Sequence, residues 1–124
     1  MGLGGEVFYF LINLLLVLDE LKSIEFSFLK DLIANRGAEI ALIAVMHANN
    51  ETGVIQPVAE VVKIAGDIPV HTDAVQSFTK VPLSYKELGV TSMALSGHKV
   101  GGPHGIGALI LRRAYEIPAL LHGG

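Results

Sequence analysis

Apolar residues along this chain come in bursts separated by short polar clusters. Glu6 to Leu11 is rich in aromatic and β-branched residues and predicts a strand. Asp19 can cap a helix running to about Ala34, with Leu18, Leu21, Phe28, Leu29, Leu32 and Ile33 as candidate buried positions. Asn35-Arg36-Gly37 stops that helix, and Gly37 suits a left-handed C-terminal position. Ile40 to Met46 is a continuous apolar run, the pattern of a central parallel strand covered on both faces. His47 to Gly53 is polar and predicts a loop. Pro57 fits a first helical turn, and Val58, Val61, Val62, Ile64 and Ala65 carry helical spacing up to Gly66. Pro69 to Thr72, Thr91 to Leu95 and Ile106 to Leu111 predict three further strands. Alternating strands and helices indicate an α/β fold with a mainly parallel sheet flanked by helices. No internal repeat, low-complexity tract or linker interrupts it.

Composition narrows the picture. The 124 residues make one domain at most, and 51% hydrophobic against 17% charged residues excludes disorder. The chain has no Cys, so a disulfide framework, a thiolate zinc site and a Cys nucleophile within it are excluded. Nine Lys and Arg residues, a net charge of −3 and no basic run argue against a nucleic-acid partner. The mean hydropathy of +0.52 is high for a small free-standing domain, which must cover much surface with polar groups. The chain reads as part of something larger. Its longest apolar run, Val7 to Leu18, contains Asn13 and falls short of the ~20 residues a membrane-spanning helix needs. No Lys or Arg precedes it and Asp19-Glu20 follow it, so it is also a poor signal peptide. A soluble, cytoplasmic protein with no membrane partner is the expectation.

Three polar clusters follow three of the apolar runs. Asn49-Asn50-Glu51 follows Ile40 to Met46, and His71 to Gln76 overlaps the end of the Pro69 run. Ser96-Gly97-His98-Lys99 follows Thr91 to Leu95. Ligands of open α/β sheets bind outside the carboxyl ends of the strands. If these strands are adjacent and parallel, the three clusters meet on one rim.

Such a rim has a specific chemistry. The ε-amine of Lys99, if partly desolvated, can lose its proton and form a Schiff base. Asp73 could hold a cationic ring nitrogen. Ser96, Gly97 and His98 offer a hydroxyl, a backbone N–H and an imidazole to a phosphate. Asn50 and Gln76 can hydrogen-bond a phenolate-like oxygen. A Schiff-base lysine, a carboxylate for a pyridinium nitrogen and a phosphate cup are what pyridoxal phosphate asks of a protein. Taken singly, each residue has a plainer reading: Lys99 as a solvated loop residue, Asp73 as a helix cap, Ser96-Gly97 and Asn49-Asn50 as turns, and His47, His104 and His122 as loop residues. Phosphate-loop, dinucleotide-binding, H-E-x-x-H and G-x-S-x-G motifs are absent from the sequence. One rival is a mixed metal site of His71, Asp73 and His98, which would leave Lys99 and Gln76 without a role.

In this order the residues resemble the cysteine desulfurase family of the class V aminotransferase fold. The resemblance rests on Met46-His47-Ala48-Asn49-Asn50-Glu51-Thr52-Gly53, on His71-Thr72-Asp73-Ala74-Val75-Gln76, and on Ser96-Gly97-His98-Lys99 with its continuation to Leu109. Leu120 to Gly124 resembles the segment that opens a Gly-rich, Arg-containing stretch. Residues 41–124 match densely and residues 1–40 loosely. The resemblance implies pyridoxal 5'-phosphate as cofactor, bound to Lys99 as a Schiff base. Asp73 would lie at the pyridine nitrogen, Gln76 and Asn50 near the phenolic oxygen, and Ser96 and His98 on the phosphate with Gly97 between them. His47 and Glu51 fit the pattern without an assigned role, and no metal is implied.

The implied activity removes sulfur from L-cysteine to give L-alanine and a persulfide, in the service of iron–sulfur cluster assembly. Sulfur-acceptor proteins and a homodimer, whose second subunit completes the phosphate site, are the implied partners. The family's upstream phosphate loop and ring-stacking histidine are absent here, as are its sulfur-accepting cysteine and substrate arginine. The chain therefore reads as a central part of the large domain, inactive by itself. Selenocysteine lyase and other class V aminotransferases share the same rim. A non-catalytic cofactor- or partner-binding module is the reading of another class.

Overall fold

The computed structural model describes residues 8–11 and 24–118. Five strands form one sheet in the order β1-β2-β3-β4-β5: Phe8–Leu11, Ile40–Met46, Val70–Asp73, Ser92–Ser96 and Gly107–Leu111. β1 to β4 pair in parallel, and β5 closes the edge antiparallel to β4. Helix α1 (Phe26–Arg36) joins β1 to β2, α2 (Val58–Ala65) joins β2 to β3, and the short α3 (Tyr85–Leu88) joins β3 to β4.

The sheet lays its first four strands side by side in sequence order. Right-handed crossovers stepping always in one direction place their helices on one face. Burial follows that rule. Register aligns Ile43 with Val70, and Val45 with Thr72 and Met93, and all five are buried. Leu29 of α1 and Val58, Val61 and Ala65 of α2 join them in the core. Each fully buried Val, Leu, Ile or Met side chain among them contributes about 1.5–3 kcal/mol. Thr72 is tolerated there because its hydroxyl donates to the Val45 carbonyl at 2.9 Å.

The opposite face carries Leu42, Ala44 and Met46 of β2, all half-buried. Among the described residues one face of β2 is covered, and the second layer that its apolar run calls for is not among them. The apolar run reports a strand that can accept two layers, and the described residues supply one.

Two boundaries also differ from expectation. The first helix begins at Phe26, because Ile24 and Glu25 are not helical. Ile24 is buried and its N–H donates to Gln56 Oε1 at 2.9 Å, a tertiary bond that holds this segment out of the helix. Phe28, expected inside, is 51% exposed, while Leu32 and Ile33 are half-buried. Asp19, Leu18 and Leu21 lie outside the described residues, as do Glu6, Val7 and Leu120 to Gly124. Gly37 is right-handed at φ −56° and leads into a 3-10 turn, Gly37–Glu39, instead of taking a left-handed cap. No helix among the described residues is long and apolar enough to cross a membrane.

Candidate functional site

β2, β3 and β4 are adjacent and parallel, so their carboxyl ends share one rim. Backbone bonds tie that rim together: His47 N–H donates to Asp73 O at 2.8 Å, and Ala74 N–H to Ala94 O at 3.0 Å. The three polar clusters expected to meet therefore emerge side by side.

Asp73 is the last residue of β3 and is half-buried. Its register partners, Met46 and Ala94, place it on the open face of the sheet. Its Oδ1 accepts the Val75 N–H at 2.9 Å, an Asx-type turn that fixes the carboxylate. Gln76 sits half-buried in the turn that follows, where the Ser77 and Phe78 N–H groups donate to Ala74 O at 3.2 and 2.9 Å.

The loop after β2 is shaped by Asn49. Its Oδ1 accepts N–H bonds from Glu51 at 2.8 Å and Thr52 at 3.1 Å, and its own N–H donates to Val54 O at 3.0 Å. That leaves Asn50 exposed in the turn. Asn49 is structural and Asn50 is available, a division the sequence does not make between two identical neighbours.

Beyond β4, Ser96 Oγ lies 2.6 Å from His98 Nδ1. Gly97 N–H donates to Ile106 O at 2.8 Å, and Gly102 N–H to Gly97 O at 2.8 Å. Lys99 lies in the 3-10 turn His98–Val100 and is exposed. The desolvated setting expected for its amine is not built by the described residues, which cover only the other face of the sheet. The His104 ring stacks on His98, with centroids 5.7 Å apart and planes 16° from parallel. From the sequence His104 is a loop residue, and nothing in its spacing reports the reversal that returns it to His98.

Two further imidazoles lie behind the rim. His71 Nδ1 lies 2.7 Å from Ser92 Oγ, its partner on β4. Burial pushes its pKa down, and the nearby Asp73 carboxylate opposes that shift. His47 is buried, its Nδ1 has no hydrogen-bond partner, and burial pushes its pKa down. In both, burial favours the neutral imidazole. The rival metal site of His71, Asp73 and His98 finds no support: among the described residues no three such side chains gather to hold an ion.

Comparison with known proteins gives a consistent result. Residues 14–124 match the family described as Aminotransferase class-V. An IscS-like cysteine desulfurase of Mycobacterium tuberculosis is 46% identical over 88 residues, 69% of this chain and 22% of that protein. A cysteine desulfurase IscS of Dictyoglomus turgidum is 51% identical over 85 residues, 67% of this chain and 22% of that one. A solved structure described as SspA in complex with cysteine superposes at a TM-score of 0.72 with 40% identity, covering 82% of this chain and 30% of its own. A NifS-like protein from Rickettsia africae superposes at 0.74 with 35% identity, covering 82% and 29%. The chain spans about a fifth of the length of the curated relatives it matches.

Proposed function

Because the chain belongs to the class-V aminotransferase family, we propose that it forms the central part of the large domain of a pyridoxal-phosphate-dependent cysteine desulfurase. The observation that carries this is the rim itself: a turn-fixed carboxylate on β3, beside a hydroxyl–imidazole pair and a lysine following β4. The donor set fits the cofactor. Asp73 has one carboxylate oxygen committed to Val75 and can offer the other to a ring nitrogen. Ser96 and His98 present polar groups to a phosphate, whereas the Gly97 N–H expected beside them is donated to Ile106 O at 2.8 Å; a side chain at Gly102 would intrude on that turn, with Cβ 2.9 Å from Gly97 O.

When bound, pyridoxal phosphate supplies an electron sink for charge that develops on the substrate carbon. The protein's residues do the rest. Lys99 would hold the cofactor through Nζ, and the same amine, when not so bound, would carry a proton to and from the substrate carbon. Asp73 keeps the ring nitrogen protonated by offering it a negative partner. Gln76 and Asn50 orient the phenolic oxygen. The substrate is L-cysteine, which leaves as L-alanine once its sulfur passes to a thiol. That thiol lies outside these 124 residues, which contain no Cys. A homodimer, sulfur-acceptor proteins, a role in iron–sulfur assembly and a cytoplasmic location belong to the same proposal.

The test is covalent. Borohydride reduction of the full-length protein with its cofactor, followed by peptide mapping, should place the pyridoxyl group on Lys99. Labelling at Lys63, Lys80 or Lys86 instead would end the assignment.

A further inference from the structure

The loop between β4 and β5 is closed at its root and folded back on itself. Gly97 N–H meets Ile106 O at 2.8 Å, and Ser96 lies opposite Gly107 in the ladder. Within it, Gly102 N–H returns to Gly97 O at 2.8 Å, and Gly101 and Gly105 take φ of +79° and +83°. Those left-handed positions turn the chain so that His104 comes back over His98.

His98 is thereby restrained in two independent ways. Ser96 Oγ, 2.6 Å from Nδ1, fixes one edge of the ring. The His104 ring stacks beside it in an offset, near-parallel arrangement, with centroids 5.7 Å apart and planes 16° from parallel. An exposed imidazole on a glycine-rich loop would otherwise sample several rotamers. With its edge and its face both engaged, Nε2 points in one direction and has no hydrogen-bond partner among the described residues.

We propose that His104 is a positioning residue: its ring braces His98, so that the His98 Nε2 edge is held ready for an oxygen of the cofactor phosphate. The proposal rests on the cofactor reading above and adds to it a residue that acts through stacking, not through a polar contact of its own. Holding a ligating group in its bound orientation raises affinity by removing the cost of ordering it.

The experiment compares full-length wild type with His104→Ala and His104→Phe, measuring the dissociation constant for pyridoxal phosphate and competition by inorganic phosphate. Thermal midpoints without cofactor accompany both. Stacking between aromatic rings is worth a few-fold in an equilibrium, so His104→Ala should weaken cofactor binding about three- to tenfold. Inorganic phosphate should weaken in parallel, with the midpoint unmoved. His104→Phe keeps a ring and no nitrogen, and should return affinity to within about twofold of wild type. Equal losses in both variants would make His104 a direct polar ligand and overturn the bracing role, as would wild-type affinity in His104→Ala. Failure of wild type to take up pyridoxal phosphate at Lys99 is a separate outcome, which overturns the cofactor reading and this inference with it.

Discussion

Asp73 shows how one side chain can serve a turn and a ligand together. Its Oδ1 is occupied by Val75 N–H, and the same bond can be made by the amide oxygen of Asn. Asp73→Asn therefore removes the charge while keeping the turn, which separates the two roles. In the full-length protein this variant should still be labelled at Lys99 by borohydride and keep its thermal midpoint. Charge-assisted hydrogen bonds contribute about 1.5–3 kcal/mol, so turnover should fall roughly ten- to a hundredfold, read as sulfide release from cysteine. Wild-type rates would show that the carboxylate serves the turn alone. Burial disfavours a positive charge on His71, the neighbouring imidazole on the same strand, although the Asp73 carboxylate opposes that shift.

The loop joining β4 to β5 depends on backbone close approach. A Cβ at Gly102 would stand 2.9 Å from Gly97 O, whereas one at Gly101 would meet nothing within 4 Å. Gly102→Ala must displace backbone, at a cost on the order of 1–3 kcal/mol. Gly101→Asn keeps a residue tolerant of the left-handed region and should cost little. Cofactor affinity of the two variants, measured side by side, should fall for Gly102→Ala and hold for Gly101→Asn. The reverse order would mean that the loop's turn, not its close contact, sets the site.

The strands and α2 were legible because their apolar periodicity is local, and so was the convergence of Asn50, Asp73 and Ser96 on one rim, since each follows an apolar run. The start of α1 was not legible, because a bond from Ile24 to Gln56, thirty-two positions away, decides it. Nor was the His98–His104 stack, which a chain reversal creates and no periodicity records.

Among the described residues, the sheet is packed over on one side and open on the other. Leu42, Ala44 and Met46 are half-buried on the open face, and Ile55, Ile106 and Leu109 are 50%, 57% and 52% exposed. Apolar patches of more than a few hundred Å² drive association. The isolated 124-residue chain should therefore sediment with a concentration-dependent mass, bind pyridoxal phosphate poorly and release no sulfide from cysteine. A concentration-independent monomer that desulfurates cysteine would refute both the reading of the open face and the need for a thiol from elsewhere.

The succession of strands has a last consequence, for how the chain acquires its shape. Each strand pairs with its immediate predecessor in sequence, from β1 through to β5. As this stretch leaves a ribosome, each of the strands β2 to β5 meets a neighbour already synthesised, and none of the five described strands needs a distant partner among them. Loop-closure entropy is met in small instalments, because each crossover joins adjacent strands. Apart from the outer edge of β1, the edge left unpaired as each of these strands is added is the one the next will occupy, so their assembly can keep pace with translation.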